Sequence, residues 1–203
     1  MLPPVDRCPI LCENFLKLCK SYYYNYCAFF NVQKDFIVQT GDPTDSGEGG
    51  SSVWYNIDQQ SRQPKGISRL FKPEKHPANK HTAMGTISMA CAGVDGGCGS
   101  IFFLTLTDNA SYLDGKHAPF GKCVEEDSIA TLEKFNTEVL LDDNGRPLRD
   151  VRIRHVVVLD DPFPDPEGLV VPPNSPPPTA AQRPPSSIWS PVDPSQLTPF
   201  IIT

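Results

Sequence analysis

Phe36-Ile-Val-Gln-Thr-Gly-Asp42, Gly85-Thr-Ile-Ser-Met-Ala90, Gly99-Ser-Ile-Phe-Phe103 and Tyr112-Leu-Asp-Gly-Lys-His117-Ala-Pro-Phe-Gly121 are the stretches whose reading decides the fold. Each ends a β-like run in glycine or starts one from it. Aromatic and β-branched residues fill the runs, and such side chains suit a pleated, half-buried surface. Each stretch also brings one or two aromatic or polar residues to the strand–loop junction. That pattern fits an antiparallel barrel whose strand faces and rim loops line a shallow apolar pocket. Taken by themselves, Phe36 and Phe103 read equally well as core aromatics.

Working outward, the first 161 residues read as mixed, with more strand than helix. Strand-like runs occupy Tyr26–Val32, Phe36–Thr40, Gly85–Ala90, Ile101–Thr105, Ala118–Val124 and Val151–Leu159. Leu11, Cys12, Phe15, Leu18 and Cys19 repeat at helical spacing, and Pro9 suits a first helical turn. A second short helix fits Asp127 to Phe135, with Asp127 as its cap. Between Pro43 and Met84 lies a long Gly-, Ser-, Lys- and Pro-rich region, the kind of loop that is functional or disordered. Proline is unevenly placed, with 13 of 22 lying in residues 162–203. Such a stretch lacks backbone donors and favours extended polyproline II, so the expected division is a domain over 1–161 and a proline-rich tail over 162–203.

The charge balance excludes several classes. With 203 residues and a net charge of −6, the chain is not a globally basic nucleic-acid binder. Arg62, Lys65, Arg69, Lys72, Lys75 and Lys80 oppose only Glu74 in residues 61–81, a region that reads first as a solvated loop and second as a contact for RNA or an acidic partner. No apolar run approaches the ~20 residues of a membrane helix. The N-terminus has no signal-peptide core, so the expected location is the nucleus or cytoplasm. Seven cysteines, at 8, 12, 19, 27, 91, 98 and 123, include no CxxC pair, which reads as buried thiols in a reducing compartment, without zinc or another cofactor. A Cys123/His117 thiol catalyst is disfavoured, because buried cysteines are inert without an activating environment.

Together the four motifs resemble the cyclophilins, the cyclosporin-type peptidyl-prolyl isomerases, in order and nearly in spacing. Glu13-Asn-Phe-Leu-Lys-Leu-Cys19, Asn31-Val-Gln-Lys-Asp-Phe-Ile37 and Arg154-His-Val-Val-Val-Leu-Asp-Asp-Pro-Phe163 extend the likeness, which is strongest toward a nuclear member of the family. The resemblance implies a mainly β fold, an antiparallel barrel with two helices, and isomerisation about X–Pro bonds of proline-containing peptides or proteins. It puts Asn31, Phe36, Gln39 and His117 at catalytic positions. It puts Ile37, Ala90, Cys91, Ala92, Ile101, Phe103, Tyr112 and Leu113 at substrate-binding positions. It also implies weak cyclosporin binding.

Departures from the family pattern bear on activity. Asn31 replaces the family's catalytic arginine, and Phe30 a neighbouring histidine. Tyr112 replaces the tryptophan that packs on cyclosporin, Ile101 a substrate-facing glutamine, and Cys91 a backbone-binding asparagine. Binding is therefore expected to be better preserved than catalysis, with a non-catalytic proline-peptide module in a splicing-related assembly as the alternative. Few residues precede the first helix, where the family has two strands. The barrel is expected to lack them, and the open side to be covered by Leu197–Ile202, a second copy or a partner.

Overall fold

In the computed structural model, which describes residues 5–92, 96–179 and 182, the first element is α1 (Pro9–Lys20). Pro9 opens it, where a missing N–H costs nothing. Its first turn is capped from a distance, because Glu74 Oε2 accepts from Ile10 N at 2.8 Å and from Leu11 N at 3.1 Å. Leu11, Cys12, Phe15, Leu18 and Cys19 are buried, as their spacing predicts. Phe15 lies 5.3 Å from Tyr24, 5.2 Å from Phe102 and 5.0 Å from Phe120, ring centre to ring centre, and so joins α1 to the sheet.

Five antiparallel strands follow: β1 (Asn31–Gln33), β2 (Ile37–Thr40), β3 (Thr86–Met89), β4 (Phe102–Thr105) and β5 (Ala118–Lys122), arranged β1-β2-β4-β3-β5. The fold is mainly β and antiparallel, as expected, but among the described residues the sheet is open. Val32, Val38, Leu104, Phe102, Ile87 and Met89 line its core face. Gly41, just after β2, has φ +94°, and a Cβ there would collide with Ser100 O. Only glycine lets the chain pass so close beneath that carbonyl.

Both sheet edges are covered. At β1, Val32 N donates to Gly145 O at 2.7 Å. The chain before β1 meets residues 151–153, with Phe29 N donating to Val151 O at 2.9 Å and Ile153 N to Cys27 O at 3.0 Å. At β5, Asn79 Nδ2 donates to Pro119 O at 3.1 Å, and the Cys12 thiol of α1 lies 3.9 Å from Phe120 O. Val151, Ile153, Val156, Val158, Phe163 and Leu169 pack against the main core. The proposed cover at Leu197–Ile202 lies outside the described residues.

Several expectations need correction. Among the described residues there are three α-helices, not two: α2 (Val53–Gln60) lies inside the region read as a long loop, and α3 spans Glu126–Thr137. Ser52 caps α2 by accepting from Tyr55 N at 3.2 Å, and Asn14 Oδ1 accepts from Val53 N at 2.9 Å. The residue at the N-cap of α3 is Glu125; Asp127 lies in the first turn. Tyr26–Val32 shortens to β1 because Tyr26 has φ +66°, outside strand geometry for a bulky residue. Val151–Leu159 forms one bridge, Arg152 to Ala28, instead of a strand. Cys91 and Cys98 form a disulfide, where the cysteines had read as mostly buried thiols; the fold brings their Cα atoms to 4.7 Å, within bridging range. The five cysteines outside this bond are buried, and burial pushes Cys27 and Cys123 up to about 12. Such a Cys123 offers no thiolate for catalysis. Phe36 and Phe103 belong to a second apolar cluster, apart from the main core, so of their two readings the core one does not hold.

The start of the proline-rich stretch is tied to α1. The fully buried Lys17 ammonium donates to Asp161 Oδ2 at 2.6 Å, Phe163 O at 2.6 Å and Asp165 Oδ1 at 2.8 Å, so its three protons meet three acceptors. Lys17→Met keeps the apolar stem but leaves Asp161, 14% exposed, without that partner. The expected loss is about 3 kcal/mol, the lower end for breaking a buried pair, because Asp165 is half exposed. Urea denaturation tests this, and an unchanged midpoint would show that the cluster does not hold the segment.

Candidate functional site

Strand register sets the site. Gln39 stands opposite both Asn31 and Phe103, and Phe103 opposite Ser88. Side chains alternate along a strand, so these four share the face turned away from the core. Ile37, two residues from Gln39, joins them. On this face Ile37, Phe103, Ala110 and Leu113 form a second buried cluster, with Phe36 and Ala90 packed on it. Phe103, 2% exposed, is its floor. A 3-10 turn, Ser111–Leu113, sends Leu113 inward and Tyr112 outward. Tyr112 is 55% exposed, with its ring 5.4 Å from that of Phe36 at the rim.

Polar groups frame this apolar patch. The His117 ring meets Phe103 edge-on at 5.2 Å. Its Nδ1 accepts from Cys91 N at 3.2 Å, which assigns the proton of the neutral ring to Nε2. Burial, reinforced by repulsion from His81, Lys75 and Lys116, pushes the His117 pKa down, so the ring is neutral at pH 7. Asn31 Nδ2 donates to Gln39 Oε1 at 3.1 Å, and Gln33 Nε2 donates to Asn31 Oδ1 at 3.4 Å. The Asn31 amide is thus held inside a side-chain network.

Behind Phe103 lies a group that the sequence reading missed. His81 is fully buried and stacks on Phe103 at 5.9 Å. Its Nδ1 lies 2.9 Å from Asp114 Oδ1 and its Nε2 3.0 Å from Ser88 Oγ. The order Ser–His–Asp matches that of hydrolytic triads. Ser88 and His81 are both sealed from solvent, so no carbonyl can reach the hydroxyl. The relay acts as a lock on the pocket floor. Burial holds the His81 pKa down, and Asp114 offsets this only in part. Burial also works against the Asp114 charge, but hydrogen bonds from His81 and Lys80 outweigh it and hold its carboxyl below the ordinary range. His81 sits in a polar loop without periodicity, so no sequence signal marked it.

Phe36, Ile37, Gln39, Ala90, Phe103, Leu113 and His117 come together as the sequence implied, with Tyr112 at the rim and Asn31 beside Gln39. Ile101 shares the Phe103 face by strand alternation, and its carbonyl accepts from Ala90 N at 3.0 Å. Cys91 differs, since its sulfur is engaged with Cys98 and its N–H is what reaches the site. Ala92 is exposed on the following loop.

Residues 4–158 match the family described as cyclophilin type peptidyl-prolyl cis-trans isomerase/CLD. Peptidyl-prolyl cis-trans isomerase-like 4 of Cryptococcus neoformans var. neoformans serotype D is 52% identical over 173 residues, covering 85% of this chain and 34% of that protein. Its Homo sapiens counterpart is 47% identical over 176 residues, covering 86% of this chain and 33% of that protein. The chain thus spans about a third of the length of these curated relatives. A crystal structure of a Cryptosporidium parvum cyclophilin type peptidyl-prolyl cis-trans isomerase is similar at TM-score 0.67 and 31% identity, over 79% of this chain and 90% of that one. The same protein in the presence of the dipeptide Ala-Pro gives 0.66 over 78% and 90%.

The two depressed histidines fix a pH response. Below about pH 6.5 an unfolded chain protonates both rings while the folded chain resists, so the unfolded state binds more protons and stability falls with pH. Thermal melts from pH 7.5 to 5.5 should show a falling midpoint. His81→Gln should lower the midpoint at pH 7.5 and flatten the slope. A flat series for the unaltered chain would mean that neither ring is held neutral.

Proposed function

The chain belongs to the cyclophilin-type peptidyl-prolyl cis-trans isomerase family, and we propose that it grips proline-containing peptides firmly and isomerises their X–Pro bonds slowly. The observation that carries this reading is the Phe103-floored pocket, flanked by His117 and Gln39, with Asn31 tied to Gln39 where the family's arginine stands.

The barrier to X–Pro rotation, about 18–20 kcal/mol, is amide resonance. A catalyst holds the ring while the peptide plane turns, excludes water, and donates a hydrogen bond to the prolyl nitrogen as it loses conjugation. Here Phe36, Ile37, Phe103 and Leu113 supply the ring pocket. His117, with its proton on Nε2, is a neutral donor. Gln39 Oε1 is occupied by Asn31, which leaves its amide N–H groups for a substrate carbonyl. Asn31 is the weak point: its amide is neutral, short and already engaged. Charge-assisted hydrogen bonds are about twice as strong as neutral ones.

The same Asn31–Gln39 bond favours a second reading, a binding module without turnover that serves a nuclear, splicing-related assembly. An isomerisation assay beside peptide NMR on one sample separates the two. Turnover matching an arginine-bearing cyclophilin would exclude the binding-only module, and absence of both binding and turnover would overturn both readings.

Losing one preorganised donor costs ~10²–10³ in rate, so Asn31→Arg should raise kcat/KM by at least about tenfold with little change in ground-state affinity. Tighter binding without faster turnover would count against the role given to position 31. Cyclosporin should bind well below the affinity of tryptophan-bearing members, and Tyr112→Trp should tighten it about two- to tenfold by restoring aromatic area. Nanomolar affinity of the unaltered chain by calorimetry would refute this.

A further inference from the structure

A cavity of about 270 Å³, walled by Lys75, His76, Asn79, Lys80, Asp114 and His117, adjoins the Phe103 cluster at His117. His117 and Leu113–Asp114 belong to the same turn, so His117 borders both the Phe103 cluster and this cavity. The cluster is apolar, and the cavity lining carries Lys75, Lys80 and Asp114.

The charge here runs against that of the chain. The protein carries −6 overall, yet this rim holds Lys75 and Lys80, with Lys116 beside His117. The field is felt at His117, where Lys75 and Lys116 both disfavour protonation. The lining includes the Asp114 carboxylate, which is shared between His81 and Lys80. Asp114 Oδ1 accepts from His81 N at 3.0 Å and faces His81 Nδ1 at 2.9 Å, and its Oδ2 pairs with Lys80 at 3.4 Å. Glu74 Oε2 caps α1. Lys80 is about half exposed, so its ammonium can reach a ligand without leaving the rim.

We propose that this cavity is a subsite for an anionic side chain, a carboxylate or a phosphorylated hydroxyl, carried by the client within two residues of its proline. The inference rests on the proline-peptide reading above. An extended peptide advances about 3.3 Å per residue, so with the ring over Phe103 a residue one or two positions away reaches the cavity beside His117. Exposed ion pairs are weak, so the subsite sets preference among proline peptides and adds little to the grip itself.

The test is calorimetry on the full chain with Ala-Pro peptides carrying Ala, Glu, phosphoserine or Lys, scanned one and two residues to either side of the proline. At 50 mM salt, Glu or phosphoserine at one of these positions should bind about three- to fivefold tighter than Ala, and Lys weaker. The difference should shrink at 500 mM salt, since such pairs are screened. Phosphoserine binding tighter than Glu would point to modified clients, and equal binding to carboxylate ones; both support the subsite. Lys75→Glu with Lys80→Glu should reverse the order, so that the Lys peptide binds best, a gain that misfolding cannot mimic. If the Ala peptide binds but Glu, phosphoserine and Lys bind alike at every position, the subsite is wrong and the proline reading stands. If no peptide binds, the proline reading falls and the subsite with it.

Discussion

Adjacent residues in a strand point to opposite sides, and in β4 that alternation divides the molecule. Phe102 enters the core beside Phe15 and Tyr24, and Phe103 floors the pocket beneath His117. A one-residue slip of β4 would exchange them, emptying both the core and the site. The register is held on both sides, with Gln39 and Ser88 each opposite Phe103. Ser88 is in turn bound to His81, which stacks on Phe103. Sheet pairing and the buried polar relay thus specify the same placement of one ring.

An open sheet has two rows of unpaired backbone groups, and this chain satisfies them with irregular partners. Residues 145–153 take hydrogen bonds at β1, and Asn79 with α1 takes the β5 side. These partners are themselves anchored by polar groups: Arg152 by Asp45 and Asp150, and α1 by Glu74 and the Lys17 cluster. A buried ion pair of this kind adds little net stability over a well-packed apolar substitute. Its effect is positional, since no apolar contact would select Asp161 and Asp165 as the place where the chain crosses α1.

What the sequence disclosed follows from how local each cause is. The α1 face and the β2, β3 and β4 motifs are set by neighbours a few residues apart, so their periodicity was legible. The helix α2 was hidden because Asn14, 39 residues away from Val53, supplies part of its cap. Val151–Leu159 has strand composition, but its hydrogen bonds to Tyr26, Cys27 and Phe29 give one bridge and no regular ladder, a pairing set by residues more than 120 positions away. The Cys91–Cys98 bond joins residues whose Cα atoms lie 4.7 Å apart, with Cys98 bridged to Phe71, a tertiary fact without a spacing signature. Pocket residues were recognisable through the motif resemblance. His81, which supports the pocket from behind, was not, because a buried histidine in a polar loop looks like any loop histidine.

The proposed function separates holding a proline ring from turning its peptide bond. Holding needs shape and dry apolar surface, and Phe36, Ile37, Phe103 and Leu113 provide both on rigid strands and a short turn. Turning needs a donor that is free and strong at the moment the prolyl nitrogen becomes basic. Asn31 is neither, since its N–H is directed at Gln39 and its carbonyl accepts from Gln33. To serve the nitrogen it would have to break a hydrogen bond that also orients Gln39, the group proposed to grip substrate. On the function proposed above, binding and catalysis would compete for one amide, and the Asn31–Gln39 bond would favour binding.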